Sequence, residues 1–442
     1  MDRLNVIGLM AGAAVFALAS VRLAAGAEPG GDDRAGAAAD EASLAHEARL
    51  GPMVRLARAR NPELQASRER ALAAQARAAA EVHLPDTELK YEQWQVPLTA
   101  PLSLDRAGML MVGLRQTFPP LGTRAARGRM ADQDTAVLGE VLHARDRDIA
   151  VDVRRAYGQY WRAETEYRVH QEHVGLLAHI VDMARAHYQT GHVSQQDLLR
   201  LTVELSQLHN DVATLEQERH SSRAQLNLLM GRPPEAPLGP PPEDAIRLDA
   251  PEASSGAAPT EVDERRPEIA SAARMIQRQE AALEVAQRSA RWPSVTVGAD
   301  YWYLPQTESS AYGAMVMIDL PWLNGRHRDE INEAEHALAA EHFALEAQRN
   351  QARFEVRDAR VRVEAAAQAV RIIDGDLLPL ARRSFESAEA AYEAGQGSAL
   401  ALLDAMRSYL QVRLERTRAL SRLDASRADY QRAAGIDPGD AS

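Results

Sequence analysis

The heptapeptide Tyr188-Gln189-Thr190-Gly191-His192-Val193-Ser194, followed by Leu198-Leu199, returns 204 positions later as Tyr392-Glu393-Ala394-Gly395-Gln396-Gly397-Ser398, followed by Leu402-Leu403. At the same offset Met230-Gly231 falls on Ala434-Gly435. Asn61-Pro62-Glu63-Leu64 resembles Arg266-Pro267-Glu268-Ile269, and His83-Leu84-Pro85 before one alternating segment resembles Arg291-Trp292-Pro293 before another. The chain therefore reads as two copies of one unit, residues 47–230 and 263–435. Residues 231–262 join them, carry eight prolines and no aromatic residue, and are expected to be extended and solvated.

Each copy has the same order of elements. In the first, a helix is expected over 47–82, stopped by Pro85. Two segments of alternating polarity follow, 87–95 and 109–117, and then 67 proline-free residues over 123–189. As one helix they would run about 100 Å at 1.5 Å per residue. Gly191 is placed to end that helix in the left-handed conformation. A further helix, 196–230, carries a seam of Leu201, Leu205, Leu208, Val212, Leu215, Leu226 and Leu229, spaced alternately by four and three and polar at Arg219 and Ser222, as in a coiled coil. The second copy gives helices 261–291, 326–393 and 399–433 and strands 294–302 and 312–319. Pro379 interrupts its long helix, and its partner at the repeat offset is Gly175, so a bend is expected in both copies. Two short helices stacked end to end match one long one, which gives a rod with both tight turns at the end away from the strands.

Composition narrows the function. With 51 Lys+Arg against 63 Asp+Glu the net charge is −12, opposite to a nucleic-acid footprint. Cysteine is absent, which excludes disulfides, thiolate metal sites and a lipidated N-terminal cysteine. Arg3, the apolar run 6–19 and Ala25-Gly26-Ala27 form a secretory signal peptide over 1–27. Residues 28–46, rich in Gly, Ala and Asp, are expected to be disordered, and 436–442 form a tail. Strands of about nine residues have the length of a tilted bilayer crossing, and Tyr91, Trp94, Trp302, Tyr303 and Tyr312 lie near their ends, where interfacial aromatics sit. A soluble sheet capping the helices is the alternative. In lipid, four strands cannot close alone, whereas three copies supply twelve.

The carboxylates lie along charged helices with no pairing that suggests acid–base chemistry, so an enzyme is not expected. His170 with His173, and His336 with His342, are surface histidines before they are metal ligands. No phosphate-binding glycine loop is present, so energy for transport would come from a partner.

The export signal, the tandem copies, the two strand pairs and the two turns of the form Tyr-x-x-Gly-x-x-Ser resemble TolC-like outer-membrane efflux proteins over nearly the whole mature chain. The segments Tyr392 to Asp404 and Leu320-Pro321-Trp322-Leu323-Asn324-Gly325-Arg326 carry the likeness. The segment Met109 to Gly122 and Leu378-Pro379 look like the heavy-metal and cation efflux branch. The resemblance implies a mostly helical protein with a small β part: a homotrimer with one 12-stranded barrel in outer-membrane lipid and a helical tunnel in the periplasm. It implies a periplasmic adaptor and an inner-membrane pump as partners, no cofactor, and small solutes, metal cations among them, as cargo. It places Gly191, Ser194, Gly395 and Ser398 on the adaptor-facing tip, and Asp197, Asp404 and Tyr392 at a gate, with Tyr392 the hydrogen-bond donor that holds it. Ala401 stands where some relatives have a second acid and Gly397 where some have an arginine. A helix-capping role competes for Asp197. A periplasmic coiled-coil adaptor or structural protein is the competing class, and drugs or secreted polypeptide are competing cargoes.

Overall fold

The computed structural model describes residues 31–96, 107–191, 193–248, 265–323 and 325–437. The signal peptide, residues 249–262 of the junction and residues 438–442 of the tail lie outside them. The described helices are α1 (Gly31–His46), α2 (Leu50–Arg60), α3 (Pro62–Glu81), α4 (Thr123–Gln189), α5 (Gln195–Leu229), α6 (Pro267–Arg291), α7 (Arg326–Ile372), α8 (Leu378–Glu393) and α9 (Ala399–Ala434). The strands are β1 (Glu88–Trp94), β2 (Met109–Phe118), β3 (Ser294–Leu304) and β4 (Ser309–Asp319).

The 67-residue α4 is unbroken. It packs against α2, α3 and α5 of its own copy and against α6 and α9 of the other, while α7 packs on α6 and α9. The short helices meet end to end at two joints built alike. Gly231 and Gly435, at φ +65° and +72°, turn the chain after α5 and α9. A Cβ on Gly231 would stand 2.8 Å from the Arg60 carbonyl oxygen, and one on Gly435 would stand 2.8 Å from the Arg265 Cβ. Each glycine thus lets the end of one short helix lie on the residues that lead into Pro62 or Pro267. The first joint is tied by Asn61, whose Oδ1 accepts from the Glu63 and Leu64 amides and whose Nδ2 donates to the Leu229 carbonyl at 2.9 Å.

Four expectations are corrected. Residues 47–82 are not one helix, because Pro62 has no N–H to continue α2 and instead opens α3 at its first position, with Asn61 as cap. Residues 31–46, expected to be disordered, form α1; Leu44 is fully buried, its carbonyl accepts from the Gly239 amide, and Arg55 grips the Asp40 carboxylate with two hydrogen bonds. The described part of the proline-rich junction is anchored to the helices at particular residues. Leu238 and Ile246 are buried, and Arg427 donates to the carbonyls of Arg247 and Leu248. The helix interruption occurs in one copy only. A π turn, Ile373–Leu377, precedes Pro379, whose ring would strike the carbonyl of Gly375 in a regular helix. Gly175 lies within the continuous α4, because a glycine only weakens a helix that its neighbours hold.

The strands form one antiparallel sheet in the order β1-β2-β3-β4, with β2 and β3 joining the two copies. One face is mainly apolar: Leu89 and Tyr91 of β1, Val112 and Leu114 of β2, Val297 and Tyr301 of β3, and Tyr312 and Val316 of β4 are all exposed on it, with Gln93, Gln116 and Ser310 interspersed. Tyr312 is 89% exposed. The opposite face carries Glu88, Lys90 and Glu92, Arg115 and Thr117, Thr296 and Asp300, set among Trp94, Trp302 and four methionines. A mainly apolar, exposed face backed by one that holds the charges matches the wall of a barrel in lipid.

At the far end of the helices a cluster joins Leu177, Ile180 and Val181 of α4, Leu201 and Leu208 of α5, Phe385 and Tyr392 of α8, and Leu402, Leu403 and Met406 of α9. Just above it His173 is fully buried; its Nδ1 bonds the Val169 carbonyl at 2.8 Å and its Nε2 has no hydrogen-bond partner among the described residues. Burial pushes its pKa below the ordinary histidine value, and Arg413 adds to this. The folded protein therefore holds His173 neutral while the unfolded chain takes up a proton near pH ~6.5.

Two outcomes follow from the joint and the buried imidazole. Asn61→Ala should destabilise the detergent-solubilised protein by about 1–2 kcal/mol in thermal unfolding, and Asn61→Asp, which keeps the cap acceptor, by less. The stability that depends on neutral His173 is present above the unfolded pKa and lost as pH falls, so between about pH 7 and 5 the melting temperature of His173→Leu should fall less steeply than that of wild type.

Candidate functional site

The two turns beside this cluster form the tip of the rod. Gly191 and Gly395 have φ of +77° and +72°, and no atom lies within 4 Å of a Cβ built on either. Their glycine is needed for backbone conformation and not for packing. After the first turn Ser194 Oγ accepts from the Asp197 amide at 3.1 Å and donates to Asp197 Oδ2 at 2.7 Å. This reciprocal cap fixes Asp197 on the first turn of α5. After the second turn Ser398 Oγ accepts from the Ala401 amide at 3.2 Å, and Ala401 has no side chain to answer it.

Asp404 lies one turn further along α9, exposed, and its charge acts on Arg407. Arg407 reaches across to α5, with Nε 2.7 Å from Glu204 Oε1 and Nη2 on Glu204 Oε2. This fork joins the two hairpins of the tip, as does the Arg413–Glu172 ion pair between α9 and α4, at 2.7 Å. Glu204 and Arg407 carry no local sequence signal, being on different copies.

Tyr392 is placed differently from expectation. Its hydroxyl is buried without a hydrogen-bond partner among the described residues, so it does not donate to Asp404. Its ring packs 5.9 Å from that of His187. Burial raises its pKa, and the charge of Asp197 raises it further. Gly397 sits at a close approach of the backbone: a Cβ there would lie 2.9 Å from the Tyr392 amide nitrogen. The Gln396 and Gly397 amides both donate to the Ala391 carbonyl at 2.9 Å, which draws the turn that close.

His170 and His173, expected at the surface, are buried, and each bonds a carbonyl of its own helix, whereas His336 and His342 are exposed. Among the described residues no group of three or more His, Asp or Glu side chains could hold a metal ion. What the arrangement offers is a wall: charged side chains along a sheet face at one end and along a helical tip at the other.

Comparison with known proteins agrees with this geometry. The sequence profile of the outer membrane efflux protein family matches residues 53–232 and 258–435. The pyoverdine export outer membrane protein OpmQ of Pseudomonas putida is 27% identical over 298 residues, 64% of this chain. OpmQ of Pseudomonas aeruginosa is 24% identical over 293 residues, 60% of this chain. The match spans about three fifths of the length of these curated relatives, 61% and 58%. Among solved structures CusC superposes with a TM-score of 0.73 at 17% identity, covering 88% of this chain and 92% of that one. The open state of the Neisseria gonorrhoeae MtrE outer membrane channel superposes with a TM-score of 0.71 at 19% identity, covering 88% and 89%. Membership of the matched family assigns the chain to the outer membrane and not to the enzymes. The chain belongs to the outer membrane efflux protein family.

Proposed function

We propose that three copies of the chain form a passive exit duct through the outer membrane, fed by a periplasmic adaptor and an inner-membrane pump. The observation that carries this reading is the sheet: four strands, mainly apolar on one face, with β1 and β4 open at its edges. Unpaired edges are not tolerated in hydrocarbon, and three sheets supply twelve strands, above the eight with which membrane barrels begin. The helices support the same assembly. Phe343, Phe354 and Val361 of α7 are 73%, 62% and 57% exposed at spacings of eleven and seven, which is one continuous stripe. Leu199 and Val203 of α5 are also exposed, and a neighbouring copy would cover both.

The adaptor meets the tip at Gly191, Ser194, Gly395 and Ser398. The gate is a ring of three Asp404 carboxylates, one from each copy. Asp197, whose amide and carboxylate engage Ser194, supports the first turn of α5 beside it, and Tyr392 fills the space beneath. A carboxylate ring favours cations. Metal cations are the cargo suggested by the segment Met109 to Gly122. The names of the matched relatives favour a second cargo, a small organic molecule handled as pyoverdine is by OpmQ.

Recorded in planar bilayers, Asp404→Ala should lower the cation-to-anion permeability ratio and leave insertion intact. Asp197→Ala should keep the ratio and cost about 1 kcal/mol of thermal stability; the reverse pattern would exchange the two roles. Gly395→Val forces a branched side chain to φ > 0 at an exposed turn, so export in cells should fall while the assembled particle persists.

A further inference from the structure

The polar face of the sheet holds a carboxylate that the fold does not use. Asp300 is 8% exposed, and its Oδ1 meets no hydrogen-bond donor among the described residues. It stands on a rung that reads Lys90, Gly113, Asp300, Gly313 across the four strands. Gly113 is what lets it lie flat: a Cβ there would sit 2.0 Å from Asp300 Oδ1. Lys90, the only lysine of the chain, is on the same rung but pairs along its own strand with Glu92. Arg115, one rung away, leans over Gly298 and exerts its charge on Glu92. Lys90 is thus engaged by Glu92, the buried Arg115 Nε has no hydrogen-bond partner, and among the described residues no ion pair reaches Asp300.

A buried carboxylate without a donor costs free energy that a small neutral residue would not. Its side chain lies over Gly113, and the Trp302 ring covers Gly313 on the far side. We infer that Asp300 is a specificity-determining residue of the membrane-spanning barrel, where three copies set a ring of unpaired carboxylates that attracts permeating cations. The inference rests on the duct reading, since only closure by further copies turns this face into a lumen. A charge set in a low-dielectric wall focuses its field into the aqueous pore, so direct contact with the ion is not needed.

The test is the reversal potential of purified protein in planar bilayers under a potassium chloride gradient, for wild type, Asp300→Asn and Asp300→Glu. The isosteric Asn variant should lower the potassium-to-chloride permeability ratio by about twofold or more, and Glu should retain it. The fall should appear equally in an Asp404→Ala background, because the two rings lie at opposite ends of the duct. Conducting Asn channels with an unchanged ratio overturn the inference and leave the duct reading standing. A wild type that inserts but does not conduct overturns both. If Asn does not insert, Asp300→Ser is measured in its place. Failure of both to insert while Glu inserts would make Asp300 a folding residue and overturn the inference.

Discussion

Backbone hydrogen bonds at the edges of one four-stranded sheet are the constraint on which the rest of the molecule depends. The outward amides and carbonyls of β1 and β4 have no water to bond in hydrocarbon, and each unpaired group costs several kcal/mol. Among the described residues no further strand pairs with these edges. The chain places the sheet at one end of a long helical body, so that in the proposed trimer closure of the barrel and alignment of the helices would follow from the same symmetry. The duplicated sequence contributes to this, because β2 of one copy and β3 of the other pair directly and make a sheet that neither copy could make alone.

The helical body works by length matching. In the first copy α3 and α5, of 20 and 35 residues, lie end to end against the 67-residue α4 and need a joint that does not bulge. Gly231 and Gly435 provide the left-handed turns, and Pro62 and Pro267 begin the next helices without an N–H to satisfy. At the tip the connection between the hairpins is lighter. Beyond one apolar cluster it rests on the Glu204–Arg407 fork and the Arg413–Glu172 pair, both partly solvated and so modest in strength. The π turn before Pro379 is confined to the second copy, so the two halves differ in stiffness despite their common plan.

Much of this was legible because glycine and proline punctuate the chain at a fixed offset. The bounds of α4 and the strand cores were readable from Gly191, Pro85 and Pro293 together with alternation. Asn61-Pro62 was visible as a repeat marker but not as a break, since a proline after a capping asparagine both ends one helix and begins another. Leu238 and Ile246 were hidden among prolines, where two isolated apolar residues give no period. The burial of Tyr392 and the Glu204–Arg407 fork depend on helices some two hundred residues apart, and local pattern carries no trace of them. Asp300 looked like an ordinary polar position of an alternating strand; only its glycine neighbours on two other strands make it unusual.

The central claim is that neighbouring copies close the sheet, and the absence of native cysteine makes it directly testable. Cysteine pairs introduced one on β1 and one on β4, such as Leu89→Cys with Val316→Cys and its register neighbours, would be oxidised in isolated outer membranes and separated under denaturing conditions. The account predicts covalent species of two and three chains, with three as the limit, from the pairs in register. Bridges confined to single chains, or a ladder that continues past three, would contradict it.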